Sequence, residues 1–258
     1  MNRGKTEVDE QNFYEKLGKA NGWDFSGLKS ESEGVAWGFY SEAAKYSTPG
    51  SIVLDIGTGG GENVMQLAES CAFVVGIDLS EAMVETARAN LQKAKCRNVR
   101  FLRMAAESLY FPEGFFDMVT SRHCPYDAVE AERVLKAGGI FLSQQVSEGD
   151  KENLKQAFGR GQAFGQPDGT FKERYINELS DAGFTDIESY SYDAAEYYQE
   201  PEDLLFLLHH TPIIPNFGEE PQDMEKFNKF ILQNQYSKGI RTNSKRFLLI
   251  AYKKGLVE

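Results

Sequence analysis

Residues 52–62, with the sequence Ile-Val-Leu-Asp-Ile-Gly-Thr-Gly-Gly-Gly-Glu, decide the fold of this 258-residue chain. The apolar run Ile52–Leu54 has β-branched members and is typical of a buried strand. Glycines then stand at alternate positions, and from Glu62 apolar side chains recur three and four residues apart, as they do in a helix. The stretch therefore predicts a strand, a glycine-rich turn and a helix over about residues 61–70.

The glycine turn indicates a ligand site. Glycine has no Cβ, so the backbone at Gly57, Gly59 and Gly61 is free to adopt positive φ and to lie close to a bound molecule. The helix that follows presents amide groups without partners in the helix. Nucleotide-like ligands dock at this end of the strands in an open parallel sheet. A tight connection with no ligand is the alternative that the turn alone leaves open.

A second apolar strand, Phe73–Ile77, ends at Asp78. An acidic residue about 20 positions beyond the first glycines can accept hydrogen bonds from ribose hydroxyls. Asp78 is the candidate for that role, and Ser80 is the candidate N-cap of the next helix. A helix start without any ligand would also account for this acidic position.

Residues 53–69 and 76–80 together resemble a class I S-adenosylmethionine-dependent methyltransferase, of the group that includes the ubiquinone and menaquinone biosynthesis enzymes. Dinucleotide oxidoreductases more often show Gly-x-Gly-x-x-Gly, whereas here an acidic residue precedes the glycines. The resemblance covers about residues 50–146 and implies S-adenosyl-L-methionine as the cofactor. The cofactor-binding residues that it implies are Asp55, Gly57, Thr58, Gly59, Gly61, Asp78, Leu79, Met83, Ala106, Glu107 and Ser121.

One position departs from the family pattern. The family commonly has an Asp-Ala pair after the third strand, and its Asp binds the adenine amino group. Ala105 stands at that Asp position here. The resemblance still implies that Ala106 offers its backbone N–H to the ring, and Glu107 or a backbone carbonyl is the candidate replacement for the missing carboxylate.

The order of predicted elements indicates an α/β fold. Strands and helices alternate from Ile52 to Arg103, which predicts a parallel sheet with helices on both faces. The resemblance implies a Rossmann-like, mainly parallel sheet of seven strands in the order 3-2-1-4-5-7-6, with strand 7 antiparallel. We expect an N-terminal helical cap at residues 1–48 and a methyltransferase domain at residues 49–258. Strand 7 is predicted at Phe247–Tyr252, and the insertion at residues 201–245 before it is expected to form a helical lid.

The loop after the fourth strand is the candidate catalytic site, because the resemblance implies that it lies beside the transferred methyl group. Its candidate residues are Arg122, His123 and Tyr126. A histidine has an unperturbed pKa of about 6.5, so it is able to take a proton from an acceptor. A hydrogen-bonded loop histidine without a chemical role fits the sequence equally well.

Five further residues are candidates for the substrate pocket: Tyr14, Trp23, Gln145, His209 and His210. The two aromatic residues belong to an N-terminal segment that covers the cofactor in related enzymes, although most buried aromatic residues only pack. Gln145 and its neighbour Gln144 point to opposite faces of a strand, and either amide is also able to satisfy a loop backbone. The two histidines end the first predicted lid helix, where they are also suited to cap it.

The composition limits the kinds of partner that the protein is expected to bind. The net charge of −11 and the pI of about 4.9 make a nucleic-acid substrate unlikely, because such binding draws on clustered Lys and Arg. The three cysteines are far apart and the three histidines are scattered, so neither a disulfide framework nor a metal site is predicted. No signal-peptide pattern and no apolar run of membrane-spanning length occurs. We therefore expect a cytoplasmic protein without a membrane partner.

The function implied is methyl transfer to a small, partly apolar molecule at O, N or C by in-line displacement. Orientation of the reactants can supply about 7–11 kcal/mol of such a barrier, and a base is needed only if the acceptor is protonated. The alternatives are an RNA or protein methyltransferase, a non-catalytic module that binds S-adenosylmethionine or S-adenosylhomocysteine, and a nucleotide-sugar or dinucleotide enzyme. The acceptor and the oligomeric state are left open by the sequence.

Overall fold

A computed structural model describes residues 27–255 and shows one mixed sheet of nine strands. The strands are β1 (Ser30–Glu33), β2 (Ile52–Ile56), β3 (Phe73–Asp78), β4 (Val99–Arg103), β5 (Phe116–Arg122), β6 (Leu135–Val146), β7 (Phe184–Tyr198), β8 (Gln235–Tyr236) and β9 (Gly239–Lys253). Their order across the sheet is β1-β7-β9-β6-β5-β2-β3-β4, and β8 pairs with β9 off this path.

Within residues 27–255, seven helices and one 3₁₀ helix flank the sheet. The helices are α1 (Phe39–Ala44), α2 (Glu81–Lys93), α3 (Ala128–Val134), α4 (Glu152–Phe158), α5 (Thr170–Asp181), α6 (Pro201–His210) and α7 (Asp223–Asn234), and the 3₁₀ helix is Val64–Glu69. Ser80 caps α2 as predicted, with its hydroxyl accepting the backbone N–H of Met83 at 3.3 Å. None of the helices within residues 27–255 is long and apolar enough to cross a bilayer.

The predicted helix at 61–70 is only a short 3₁₀ helix. Gly61 has a φ of +79°, which is outside the helical region, so the helix starts later at Val64. The chain must then reach β3 at Phe73. Nine residues, 64–72, remain before this strand, and six of them form the 3₁₀ helix.

The predicted strand order is confirmed. Numbered from Ile52, the seven expected strands follow the order 3-2-1-4-5-7-6, and the last of them, β9, runs antiparallel to both β6 and β7. The strands β1 and β8 were not predicted. The expected helical cap is therefore wrong at Ser30–Glu33, because this segment instead forms β1 against the free edge of β7. The domain boundary after residue 48 stays a prediction.

The last two long strands extend beyond the rest of the sheet. Strand β9 begins at Gly239 rather than at the predicted Phe247, because Ile240–Lys245 continues its antiparallel pairing with Asp193–Tyr198 of β7. The insertion between them is correspondingly shorter than predicted. Its helices α6 and α7, which we call the lid helices, pack against this extension.

The sheet has an apolar core on each face. On one face, Val53, Met118 and Leu142 pack with Phe39 and Tyr40 of α1, and we call this the α1 face. Helix α1 has six residues, too few to be stable alone, so packing against the sheet holds it in place. The opposite face packs against α3 and α5, and we call it the α3 face; its residues include Leu54, Val119, Phe141, Ala131 and Leu179.

A third core lies under the lid helices. Buried side chains of α4, α6, α7 and the β7–β9 extension meet there: Leu154, Phe158, Tyr198, Leu204, Leu208, Phe227, Phe230 and Ile240. Full burial of one such side chain stabilises a fold by roughly 1.5–3 kcal/mol. Both carboxylate oxygens of the fully buried Asp223 also accept hydrogen bonds from the Nη2 atom of Arg160, at 2.8 and 2.9 Å. The lid helices therefore form a packed unit with its own core.

Candidate active site

The glycine turn has the backbone geometry that its sequence predicts. Gly57, Gly59 and Gly61 have φ values of +72°, +56° and +79°. A Cβ at Gly57 would lie only 2.3 Å from the Cβ and Sγ atoms of Cys124, in the loop after β5. Glycine is required there for two reasons, the left-handed backbone and the close approach of the neighbouring loop.

Phe101 of β4 fits beneath the turn. A Cβ at Gly61 would lie 2.5 Å from the Cζ atom of Phe101, and a Cβ at Gly76 would lie 2.7 Å from its Cδ1 atom. The two glycines thus let one aromatic ring pack between the turn and strand β3. The position of the turn is therefore set by the sheet and not only by its own sequence.

Asp78 joins the turn to the start of α2. Its carboxylate accepts the backbone N–H of Gly59 at 2.9 Å and the backbone N–H of Ser80 at 2.9 Å. A carboxylate has about four acceptor positions, so these two bonds are compatible with further ones to a ligand. The next residue, Leu79, is 45% exposed and offers an apolar surface at the same edge of the sheet. The structure therefore brings Gly59, Asp78 and Leu79 together, as predicted from the sequence.

Asp55 supports the turn from below and is fully buried. It accepts a hydrogen bond from the Thr120 hydroxyl at 2.7 Å and is 3.3 Å from the Tyr40 hydroxyl through both oxygens. Burial raises the pKa of Asp55 to about 6, although these hydroxyl groups and the Arg122 charge lower it. The predicted direct contact between Asp55 and a cofactor is inconsistent with this burial, and the residue instead positions the turn.

The other predicted cofactor residues divide into two groups. Thr58, Met83 and Ser121 are buried, and the Ser121 hydroxyl donates to the backbone oxygen of Cys124 at 2.9 Å. These three side chains stabilise the fold around the site. Ala106 is half-buried and Glu107 is exposed, so both remain accessible to a ligand.

A row of polar side chains crosses the α1 face beyond its apolar core, at the carboxyl end of β5 and β6. Strand register places Asp55 beside Thr120, Arg122 beside Gln144, and Arg246 beside Tyr192. Residues two apart in a strand share a face, and so do register partners, so all of these side chains lie on one side of the sheet. We call this row the polar belt; it consists of Asp55, Thr120, Arg122, Gln144, Tyr192 and Arg246.

Two hydrogen bonds, from Trp37 to Gln144 and from Gln144 to His123, fix which nitrogen of the His123 ring carries the proton. The indole Nε1–H of Trp37 donates to the Oε1 atom of Gln144 at 2.7 Å, and the Nε2 atom of Gln144 lies 2.9 Å from the Nε2 atom of His123. An indole only donates, so the Gln144 oxygen must face Trp37 and its NH₂ group must face His123. The His123 Nε2 atom is then the acceptor, and the ring proton is on Nδ1.

His123 is therefore placed as a hydrogen-bond donor and not as the predicted proton acceptor. Burial, and then the charges of Arg246, Arg122 and Lys151, lower the pKa of His123 well below its usual range. Its backbone has a φ of +56°, which turns the ring out of the strand alternation and towards Gln144. The neutral imidazole keeps its single proton on Nδ1, while its lone pair on Nε2 is already used.

Arg122 ends β5 and is half-buried. Its guanidinium forms no hydrogen bond or ion pair with any residue between 27 and 255. The other cations of this region are paired: Arg246 with Asp150, and Lys151 with Glu196. Arg122 is thus a charged side chain at the mouth of the site without a direct protein partner in the described part of the chain.

Tyr126, the third predicted catalytic residue, lies on the opposite face of the sheet. Its ring stacks on Tyr175 at 5.1 Å and meets the edge of Phe141 at 4.7 Å, within the core of the α3 face. Burial raises the pKa of Tyr126 well above its usual range. A role for Tyr126 beside Arg122 and His123 is therefore wrong, because the sheet separates them.

Gln145 was predicted to face the substrate pocket, whereas Gln144 is the glutamine that lies in the polar belt. The buried Gln145 amide donates to the Cys124 backbone oxygen and to the Ser143 hydroxyl, both at 2.9 Å. It ties the loop after β5 to β6. The signal that distinguishes the two glutamines is the strand alternation, because Ile140 and Leu142 share the α1 face with Gln144.

The other residues predicted for the substrate pocket are not shown to lie at the polar belt. The His210 Nδ1 atom lies 2.7 Å from the Phe206 backbone oxygen, and its ring stacks on Phe206 at 4.0 Å. The His209 ring packs against Phe217 at 5.1 Å. Both histidines therefore stabilise the lid unit. Tyr14 and Trp23 lie outside the described residues, so their predicted role stays a prediction.

Three aromatic residues that sequence reasoning did not select complete the site. Tyr40 reaches Asp55, and the Trp37 ring meets the edge of the Tyr192 ring at 4.7 Å. Trp37 and Tyr192 are both half-buried, so they form a partly accessible apolar wall beside the polar belt. No group of three or more His, Cys, Asp or Glu residues within 27–255 is arranged to hold a metal ion.

The segment that contains the glycine turn is similar to known methyltransferases. Residues 53–139 match the model of the methyltransferase domain family. The uncharacterized methyltransferase YcgJ of Bacillus subtilis is 39% identical over 97 residues, which cover 35% of this chain and 38% of YcgJ. The demethylmenaquinone methyltransferase of Lactococcus lactis is 38% identical over 119 residues, 42% of this chain and 47% of that enzyme. The matched regions thus span less than half of either relative.

Solved structures agree on the fold. The crystal structure of YcgJ superposes with a TM-score of 0.57 at 20% identity, covering 84% of this chain and 98% of YcgJ. A Haemonchus contortus phosphoethanolamine N-methyltransferase in complex with S-adenosyl-L-methionine superposes with a TM-score of 0.54 at 21% identity, covering 94% and 60% of the two chains. At this identity the likeness to solved structures supports the fold alone. The chain thus has a methyltransferase fold, and its residues 53–139 are similar to methyltransferase domains.

Proposed function

We propose that the protein binds S-adenosyl-L-methionine at the glycine turn and transfers its methyl group to a small, partly apolar molecule. The observation that carries the proposal is the turn itself. Three glycines with positive φ lie at the carboxyl end of β2, and Asp78 holds them through the Gly59 amide. This geometry falls within the segment that matches the methyltransferase domain.

The residues at the turn suit the chemistry of this cofactor. Asp78 offers carboxylate oxygens to ribose hydroxyl groups, and Leu79 offers an exposed apolar side chain to an adenine face. The backbone N–H groups of Gly60 and Glu62 donate to no acceptor in the described part of the chain. They are therefore available to a ligand at the turn.

The chain's own contribution is to bind and to orient. The cofactor supplies a methyl group that is already activated on a sulfonium. Alignment of donor and acceptor supplies roughly 7–11 kcal/mol of the barrier. The half-buried Trp37 and Tyr192 rings, beside the polar belt, favour an acceptor with an apolar part. The named quinone substrate of the Lactococcus lactis relative is consistent with such an acceptor.

Calorimetric titration with S-adenosylhomocysteine, with NAD as the comparison ligand, tests the cofactor assignment. We expect micromolar or tighter binding of the first ligand and none of the second. Asp78→Ala should weaken the binding of S-adenosylhomocysteine by about tenfold or more, because it removes a ribose acceptor and the tie to Gly59. Asp181→Ala, at an exposed helix end, is the matched control and should bind as the unmodified protein does.

Binding of NAD alone would instead support a dinucleotide enzyme. Tight binding of S-adenosylhomocysteine without turnover of any acceptor would support a non-catalytic module. A screen of small phenols, amines and carboxylic acids with labelled methyl donor separates this module from an enzyme. The screen also identifies whether O, N or C is methylated.

Methylation of RNA or protein is a second candidate because the structure contains one basic surface. Five exposed cations line the end of α2 and the outer edge strand β4: Lys93, Lys95, Arg97, Arg100 and Arg103. Charged side chains on an edge strand also prevent unwanted strand pairing, which explains them without a partner. Transfer of labelled methyl groups to total RNA, compared with the small-molecule screen, decides between the two acceptor classes.

A further inference from the structure

We propose that Arg122 and His123 form a subsite made only of hydrogen-bond donors, which binds a carboxylate carried by the methyl acceptor. The inference rests on the proposed function and adds the substrate class. Three features of the polar belt carry it: the direction of the His123 hydrogen bond, the pairing of the neighbouring carboxylates, and the aromatic wall.

The direction of the His123 hydrogen bond leaves only a donor for a ligand. Trp37 orients the Gln144 amide, and that amide occupies the Nε2 lone pair of His123. The remaining polar atom of the ring is Nδ1, which holds the proton. A ligand atom at Nδ1 must therefore be an acceptor, such as a carboxylate oxygen.

The carboxylates around Arg122 already form hydrogen bonds or ion pairs with other groups of the protein. Asp55 is fully buried and bound by Thr120. Asp150 is bound by Arg246 and by the backbone N–H of Lys245 at 2.9 Å. Glu196 is paired with Lys151 and accepts the Tyr198 hydroxyl at 2.9 Å.

Each of these carboxylates thus has partners within the protein, while the Arg122 guanidinium has none in the described part of the chain. A guanidinium presents two parallel N–H groups that match the two oxygens of a carboxylate. Half-burial strengthens such a pair relative to one in open solvent. The charge of the subsite is therefore complemented by an anionic ligand and not by a cationic one.

The aromatic wall of Trp37 and Tyr192 favours a ligand whose remaining part is an apolar ring. Trp37 and Tyr192 meet edge to face, and Tyr192 is the register partner of Arg246 within the same belt. A flat apolar ring could lie against them while its carboxylate reaches Arg122. Benzoate is therefore a suitable probe, and benzamide is its neutral counterpart of nearly the same shape.

The experiment titrates benzoate and benzamide into the full chain, with and without saturating S-adenosylhomocysteine. We expect benzoate to bind about tenfold more tightly than benzamide, the difference that one charge-assisted pair supplies. Arg122→Gln should reduce this ratio to about one, whereas Arg122→Lys should retain part of it because the charge remains. Arg97→Gln removes an exposed arginine distant from the belt and should behave as the unmodified protein.

The carboxylate of the cofactor is the other source of an anion, and the same variants distinguish it. If Arg122→Gln weakens the binding of S-adenosylhomocysteine by about tenfold and leaves the benzoate ratio unchanged, Arg122 binds the cofactor and the proposal is overturned. Equal binding of benzoate and benzamide, or binding of neither, also overturns it. Failure of S-adenosylhomocysteine to bind would sink the proposed function instead, and the titrations without it would still decide the benzoate preference.

Discussion

The glycine turn and the polar belt lie at the same edge of the sheet but are built in different ways. The turn is made by consecutive residues whose conformations follow from their own types, as at Gly57 with its φ of +72°. The belt takes its members from β2, β5, β6, β7 and β9 and is completed by Trp37 before the first long strand. One region can be read from a short stretch of sequence, whereas the other exists only after the sheet has formed.

This difference assigns different tasks to the two regions. The turn lies within the segment that matches the methyltransferase domain, and its geometry suits the proposed cofactor. The belt and its neighbours His123 and Trp37 combine a neutral histidine, an arginine without a direct partner in the described part of the chain and two aromatic rings, a combination that suits one class of acceptor. Substitutions in the turn should therefore act first on cofactor binding and stability, and substitutions in the belt on acceptor choice.

The largest effect should follow from breaking the turn with Gly57→Ala. The new Cβ would lie 2.3 Å from the Cys124 side chain, in addition to the cost of about 1–2 kcal/mol for a left-handed backbone. We expect a loss of about 3 kcal/mol or more in the free energy of unfolding, together with loss of S-adenosylhomocysteine binding. Chemical denaturation and calorimetry measure the two effects.

Gly138→Ala is the matched control for this variant. Gly138 has a φ of +74°, but no atom lies within 4 Å of the position of its Cβ. It should lose only the backbone cost of about 1–2 kcal/mol and should keep its ligand affinity. Equal losses in the two variants would show that the contact with Cys124 is unimportant.

Asp55 connects the turn to the belt, and its replacement should give an intermediate effect that depends on pH. Burial raises the pKa of Asp55 to about 6, above its value of 3.8 in the unfolded chain. The folded state therefore holds the proton more tightly, and stability from this group is complete below about pH 4 and is lost as the pH rises through 6. At about 1.4 kcal/mol per pKa unit, the loss approaches 3 kcal/mol at neutral pH.

Asp55→Asn keeps both hydrogen-bonding partners and removes the ionisation. The difference in unfolding free energy between Asp55→Asn and the unmodified protein should thus shift in favour of the variant between pH 4 and pH 6.5, and should be constant above pH 7. Denaturant titrations at several pH values measure it, with every other carboxylate common to both proteins. A difference that does not change with pH would contradict the raised pKa.

The smallest effect should come from Trp37→Phe. This variant tests whether the hydrogen bond from Trp37 to Gln144 sets the proton position of His123. Without the indole donor, the Gln144 amide is free to turn its oxygen towards His123 and to accept a proton from Nε2. The pKa of His123 should then rise, because the Gln144 oxygen would accept a hydrogen bond from the protonated imidazole and stabilise its charged form. The ¹⁵N shifts of the His123 ring, followed over pH, report both the proton position and the pKa.

Tyr192→Phe keeps the aromatic partner of Trp37 and leaves the Trp37–Gln144 hydrogen bond intact, so it serves as the control. His123 should titrate in this control as in the unmodified protein. An Nε2–H signal in the unmodified protein would refute the assigned tautomer. It would also restore the predicted role of His123 as a proton acceptor.

The order of the sheet was accessible from the sequence because each parallel strand is followed by a helical pattern and because the motifs resemble a family with a known order. The strands β1 and β8 were missed since their pairing depends on the exposed edges of β7 and β9. The early start of β9 was missed for the same reason. Edge pairing is decided by the partner strand, and a short polar segment such as Ser30–Glu33 has no pattern of its own.

The residues of the candidate site also divide into those that local sequence predicts and those that depend on distant elements. Gly57, Gly59, Gly61 and the capping by Ser80 followed from residue types in sequence, because local backbone preference depends on the residue and its neighbours. Asp55 was singled out from the sequence as a cofactor residue, but its burial and its pKa depend on Tyr40 and Thr120, which come from other elements.

The sequence by itself determined the turn, the acidic position after β3, the resemblance to methyltransferases and, through that resemblance, the order of the parallel strands. Only the tertiary structure decided that Gln144 and not Gln145 faces the belt, that Tyr126 lies on the far side of the sheet, and that His123 is a donor. The last result depends on a hydrogen bond between Trp37 and Gln144, which are 107 positions apart in the chain. The charge and proton position of a side chain are set by the groups that surround it, and these become neighbours only when distant strands and helices pack together.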